Sequence, residues 1–384
     1  MRYAIPIILI LLCFSCKDDK GIEAALPSKI NHSINSYAEG FAIQHNTHYS
    51  ILTVSNPWPN SAKSYRYALI PKENAAKLTL NASDFDGMLL TPIQNIVVTS
   101  TTHVPALELL GVEQSLVGFP GTDYISSEKT RVRISDGKVR ELGQNESINT
   151  EVLLELRPNL VIAFGVDGSN KALEIIEKSG IPVIYNGDWV EKSPLAKAEW
   201  IKFFGALYNK DQKANSIFNQ ISSDYLGAKK IAQQATSQPT ILSGAMYKDV
   251  WYLPNGTSPE AQILKDANTN YLWSETTNTG SLALSFETVF DKAKSAQFWI
   301  NPSNYGSYDE LKRLNSHYTE FDAFQEKNIH TYANTVGKTG GVLYFELGTA
   351  RPDLVLKDII KICHPELLTN YETTFYKPLT NELN

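Results

Sequence analysis

Seven histidines, three cysteines and 41 acidic residues are what this chain offers to metal or acid–base chemistry. His45 and His48 stand three apart, a spacing that two ligands of one zinc ion can use. The polar run His45-Asn46-Thr47 reads instead as a hairpin turn that leaves both rings in water. A primary metal-ion site needs three or four convergent His, Asp or Glu side chains, and here the histidines are scattered. The sequence has no Gly-x-Ser-x-Gly elbow, no Walker-type loop, no His-Glu-x-x-His and no Cys-x-x-Cys. Gly165 and Gly168 lack the dinucleotide spacing. A hydrolase would need a buried nucleophile–base pair that nothing in the sequence marks. The expectation is therefore no enzyme and no bound cofactor, with a hydrolase as the remote alternative.

The cysteines carry a different chemistry. Arg2 gives a positive start, Ile5 to Phe14 is nearly all apolar, and Ser15-Cys16 follows. Such a segment is too short to span a bilayer and reads as a secretory signal. Its end is similar to the lipobox of bacterial lipoproteins, which implies that Cys16 becomes the acylated first residue; the alternative is a plain signal peptide with an incidental cysteine. Cys13 leaves with the signal, so Cys363 is alone and no disulfide is expected. It falls on an apolar helical face and reads as a core residue. Lys17-Asp18-Asp19 is either a solvated tether or similar to the surface-export signal of some Bacteroidetes lipoproteins. A net charge of −6 without a basic run argues against a nucleic-acid partner.

The elements follow from periodicity and caps. Residues 1–16 form the signal and 17–36 a polar tether. Residues 37–91 are a β-rich extension, with strands at Phe41 to Ile43, Tyr49 to Val54 and Tyr65 to Ile70. From 92 to 190 strand and helix alternate. Ile96-Val97-Val98 leads into a helix capped at Ser100 to Thr102 and closed by Gly111. Leu160 to Phe164 is an uninterrupted apolar run expected of a central parallel strand, and Ser169 is expected to cap the next helix. Residues 191–237 break the alternation with about forty helical residues, opened by Ser193-Pro194. Alternation returns over 238–384. The fold class is thus α/β, with two Rossmann-like lobes, parallel sheets and a helical link.

The stretches Asn95 to Pro105, Leu116 to Pro120, Leu156 to Ala163 and Arg351 to Leu356, in this order and spacing, resemble the helix-linked class of periplasmic binding proteins. The resemblance covers about residues 92–376. That class serves importers of cobalamin, ferric siderophores and haem, so it implies a metal-chelate ligand, an ABC permease as partner, a lipid-anchored periplasmic location and a monomer. The rival reading is a surface-exposed capture lipoprotein working with an outer-membrane receptor.

The resemblance also implies residue roles. One glutamate per lobe docks on the permease, and by position these are Glu151 and Glu287. Each sits in the first turn of a short helix feeding a buried strand, where it could equally serve only its helix N-terminus. The ligand lies between the lobes, against loops at the carboxyl ends of sheet strands. Candidate contacts on the first lobe are Thr101, Thr102, His103, Asp123-Tyr124, Asn145 and Phe164. On the second they are Trp251, Tyr252, Ser281, Tyr305, Tyr344 and Arg351. Corrinoid binders carry tryptophans where this chain has Asn145, Phe164 and Ser281, which places cobalamin in doubt. A stiff helical link implies only a few degrees of lobe closure.

Overall fold

In the computed structural model, which describes residues 31–33, 35–168, 170–277 and 280–381, the apolar runs become central strands and the capped amphipathic runs become the helices beside them. Cys16 and the signal segment lie outside the described residues. The extension is one sheet whose strands follow chain order: β1 (Asn31–Ser33), β2 (Phe41–His45), β3 (Ser50–Ser55), β4 (Ser64–Pro71) and β5 (Gly87–Thr91). All neighbours are antiparallel except β4 and β5. The sheet starts earlier than the sequence indicates, inside the stretch read as a tether, because β1 pairs with β2.

The first lobe holds β6 (Ile96–Val98), α1 (Val104–Leu110), β7 (Leu116–Phe119), α2 (Glu128–Ser135), β8 (Arg140–Glu141), the hairpin β9 (Gly143–Gln144) and β10 (Ser147–Ile148), α3 (Thr150–Leu156), β11 (Leu160–Ala163), α4 (Lys171–Lys178) and β12 (Val183–Tyr185). Its parallel sheet runs β12-β11-β6-β7-β8. Gly111 closes α1 at φ 65°, a left-handed value that glycine adopts without a side-chain clash. Asn170, rather than the expected Ser169, is the residue seen capping α4, accepting from the Ala172 and Leu173 amides; Ser169 lies outside the described residues.

The link is α5 (Pro194–Glu199), α6 (Ile201–Leu207) and α7 (Asp211–Ala232). The second lobe follows with β13 (Thr240–Ser243), β14 (Ala245–Tyr247), β15 (Val250–Pro254), α8 (Pro259–Asp266), β16 (Asn270–Tyr271), β17 (Ser281–Leu284), α9 (Phe286–Ala293), β18 (Phe298–Ile300), α10 (Tyr308–Leu314), α11 (Asp322–Gln325), β19 (Ile329–Thr331), α12 (Pro352–Cys363) and β20 (Lys377–Pro378). Its main sheet is β16-β13-β18-β19-β20, parallel except for β20, and β14-β15-β17 make a separate antiparallel sheet.

Helix α7 joins two cores rather than spanning a gap. Ala214, Phe218 and Ile221 pack into the cluster of the first lobe, with Ile96, Val98 and Phe203, while Tyr225, Ala228 and Ala232 pack into that of the second, with Ile241 and Leu356. Bending this helix would expose apolar surface on both sides, at about 25 cal/mol per Å². The extension shares the first of these cores: Phe41, Leu52, Val54 and Leu69 belong to the same cluster as α6. It is held there by two carboxylates. Glu199, fully buried, accepts the amides of Ser36, Tyr37 and Ala38 at 2.9, 2.7 and 2.8 Å and pairs with Lys202 at 2.5 Å. Glu191 accepts the Gly40 amide and the Trp200 Nε1–H, both at 2.9 Å.

Candidate ligand cleft

Both parallel sheets aim their carboxyl ends at a groove between the lobes, as open α/β sheets do at their ligand sites. The groove has two chambers. The larger encloses about 850 Å³; the first lobe gives it Trp189, and the second gives Tyr247, Tyr252, Ser281, Asn301 and Tyr332. The smaller encloses about 640 Å³, between Thr101, Tyr124, Asn145 and Phe164 on one side and Asn304 and Phe345 on the other. Phe164 and Trp189, one in each chamber, pack with ring centroids 5.5 Å apart, so the chambers adjoin. Each is of the size, about 300–1,000 Å³, that encloses a small-molecule ligand.

The first-lobe expectations divide by depth. Thr101, Tyr124, Asn145 and Phe164 line the smaller chamber. Thr102 lines neither chamber: its hydroxyl donates to the Asp188 carboxyl at 3.0 Å. Asp188 is buried, which pushes it up to about 6, and it opens the turn that presents Trp189. His103 is a correction. It is fully buried against Phe204, neither ring nitrogen has a hydrogen-bond partner among the described residues, and burial holds it down to about 3. It is a neutral core ring, turned inward as the helix starts.

In the second lobe Tyr252 and Ser281 line the larger chamber. Trp251 is corrected for a simple reason: it lies on a strand, not in a loop, and neighbours on a strand face opposite ways. Tyr252 therefore looks out at 43% exposure while Trp251 is buried, stacked on Trp299 at 5.4 Å, with its Nε1–H on the Ser243 carbonyl. Tyr344 lies one layer behind the wall, stacked at 4.4 Å on Tyr332. Tyr305 packs against the second core and lines neither chamber. Arg351 is also corrected: it forks the buried Asp353 at 2.8 and 2.7 Å and lines neither chamber. Sequence reading missed Trp189, Tyr247, Asn301 and Tyr332. Trp189 and Tyr332 follow strand ends, the same rule that selected Phe164.

Charge in the groove is sparse. Its lining has one lysine, Lys197, which pairs with Glu260 at 3.5 Å, and three glutamates, Glu146, Glu191 and Glu260. Glu191 is already engaged by the Gly40 and Trp200 donors. Among the described residues no group of three His, Cys, Asp or Glu side chains could hold a metal ion.

The lobes also touch directly beside the smaller chamber. Glu346 accepts the Ser126 and Ser127 amides at the start of α2, Ser126 Oγ donates to the Gly341 carbonyl at 2.8 Å, and Thr339 Oγ1 donates to the Asp123 carbonyl at 2.8 Å. Away from the groove, Glu151 and Glu287 are exposed in the first turns of α3 and α9, capped by Asn149 and Ser285. The Glu287 carboxyl is held below its ordinary value by its own backbone N–H and the Ser285 hydroxyl.

Two separate sheets, one helix rooted in both cores and a groove at the strand ends have a counterpart in known sequences: the profile described as periplasmic binding protein matches residues 96–335. The chain belongs to the periplasmic binding protein family. Proteins of this family bind solutes and are not enzymes. The chain is 25% identical over 303 residues to the uncharacterized lipoprotein MJ0878 of Methanocaldococcus jannaschii, covering 76% of this chain and 70% of that one. Solved structures that share the fold of this binding protein include two with a TM-score of 0.56. One is a possible iron-binding, periplasmic solute-binding protein from Staphylococcus epidermidis, with TM-score 0.56, 15% identity and coverage of 71% of this chain and 100% of that one. The other is a periplasmic haem-binding protein from Pseudomonas aeruginosa, with TM-score 0.56, 15% identity and coverage of 76% and 100%.

Proposed function

We propose that this binding protein captures an already chelated metal, such as a ferric siderophore, haem or a corrinoid, in the interlobe groove and delivers it to an ABC permease. The observation that carries the reading is the groove itself: adjoining chambers of about 850 and 640 Å³, walled by Trp189, Tyr247, Tyr252, Tyr332 and Phe164. Aromatic faces suit a large cargo with flat apolar surface. The lack of a metal-ligating cluster among the described residues favours a metal that arrives in its own ligand. The paired lysine and surplus glutamates disfavour a cargo of high negative charge such as a ferric tris-catecholate, which would meet desolvation without compensation. The haem and iron named for the two structural neighbours are consistent with this cargo class. Glu151 and Glu287 dock on the permease, Cys16 carries the lipid anchor, and the protein works outside the cytoplasmic membrane. The lipoprotein name of the archaeal relative supports the anchor.

Absorption and native mass spectrometry of the protein isolated from its own host are expected to show one bound chelate, with Soret, corrinoid or ferric charge-transfer bands telling which. Emptied protein titrated with haemin, cyanocobalamin, a cationic ferric tris-hydroxamate and an anionic ferric tris-catecholate is expected to show tryptophan quenching, weakest with the catecholate. Unchanged emission with all four ends this reading.

A further inference from the structure

Between β3 and β4 the chain runs Asn56-Pro57-Trp58-Pro59-Asn60-Ser61-Ala62-Lys63, a loop that lies before the family-matched region 96–335. It is closed on itself: the Asn56 amide donates to the Lys63 carbonyl at 2.8 Å, and the Ser61 amide to the Trp58 carbonyl at 3.1 Å. Asn56 and Asn60 hold φ 51° and 60°, left-handed values that asparagine tolerates better than most residues.

Its first half is an anchor. Pro57 and Trp58 are buried, and Trp58 meets Tyr185 with centroids 5.1 Å apart. A Cβ at Gly168 would fall 2.3 Å from the Trp58 ring, so the bare glycine is what seats the indole; a Cβ at Gly187 would fall 3.1 Å from the Pro57 Cα. These glycines follow β11 and β12, at the carboxyl edge of the first-lobe sheet. The second half is not anchored. Pro59 and Asn60 are exposed, and both line the larger chamber together with Trp189, Tyr247 and Tyr252. The sheet that carries the loop is fixed through Glu191 and Glu199, and Glu191 itself lines the same chamber.

We infer that the N-terminal sheet supplies a third wall of the cleft, through which Pro59 and Asn60 touch the cargo and help set which chelates are accepted. Pro59 presents an apolar surface and Asn60 a carboxamide, suited to a cargo with a flat apolar face and peripheral hydrogen-bonding groups. This role rests on the groove being the cargo site.

The test compares two variants of the full chain with the wild type, using haemin, cyanocobalamin and a ferric tris-hydroxamate as probes. Tyr252→Ala alters the second-lobe wall and reports on the groove. The pair Pro59→Gly with Asn60→Gly alters the loop tip only; both positions are exposed, Asn60 already has a glycine-compatible φ, and Trp58 still anchors the loop. Tenfold or greater weakening of the best wild-type probe by both variants, with the loop variant changing the affinity ratio between probes, is the expected result. If Tyr252→Ala weakens binding while the loop variant leaves every affinity within twofold, the third wall is overturned and the groove stands. If neither variant weakens binding, or no probe binds the wild type, the groove reading fails and the third wall with it.

Discussion

Glu346 is a carboxylate on which burial and hydrogen bonding act in opposite directions. It is 2% exposed and accepts two amides from the other lobe, yet burial dominates and raises it from 4.5 to about 7, with Glu108 adding to the rise. A carboxyl raised on folding contributes stability that is complete below its ordinary value and is lost as pH climbs through the raised one. Between about pH 4.5 and 7 the wild type should therefore lose on the order of 2–3 kcal/mol relative to Glu346→Gln, each unit being about 1.4 kcal/mol. His103 acts in the reverse sense: held down to about 3, its contribution fades as pH falls below 6.5. The two trends oppose each other in the wild type, so the readout is the difference in denaturant-unfolding free energy between wild type and variant across pH. A constant difference would show that Glu346 does not titrate in this window. The residue scale is also where sequence reading failed most. Trp251 and Tyr252 are adjacent and chemically alike, and only the pairing of β15 with β14 and β17 decides which one faces the core.

Among the elements, the N-terminal sheet is fused rather than appended. Its attachment concentrates on Glu199, which satisfies three amides and neutralises Lys202, itself 4.7 Å from the Phe218 ring centroid. Glu199→Ala would leave a buried lysine unpaired, a change that typically costs about 3–5 kcal/mol. Hydrogen exchange is expected to show the Ser36 to Ala38 amides losing protection well before the lobes unfold. Retained protection at those amides would mean that the sheet is held by its apolar face alone. The helices were largely legible because their starts are local chemistry: Ser193 caps α5 where expected, and Ser258 and Ser285 cap α8 and α9 in the same way. The small sheet β14-β15-β17 was not legible, because β17 pairs with β15 across the whole of α8 and no short-range signal encodes that partner.

For the whole molecule, the features that matter are a spine shared by two cores and direct bonds between the lobes. Both limit hinge motion, so under the proposed function cargo release would fall to the permease rather than to spontaneous opening. Glu151→Ala combined with Glu287→Ala removes two exposed carboxylates that are not part of the groove lining. Cargo affinity is expected to stay within twofold while uptake in the host falls at least tenfold. Uptake at wild-type level would dissociate these residues from docking.

By itself the sequence determined the alternation of strand and helix and the helical break before the second lobe, because hydrophobic period, caps and turn residues act over a few neighbours, and the resemblance of four stretches in order pointed to the family. Tertiary structure alone decided which aromatic rings reach the groove, that His103 is buried and Arg351 is engaged by Asp353 outside the lining, and that Pro59 and Asn60 enter it. Those outcomes depend on strand register and on contacts between segments more than a hundred residues apart, such as Trp58 with Tyr185, and no local pattern specifies them.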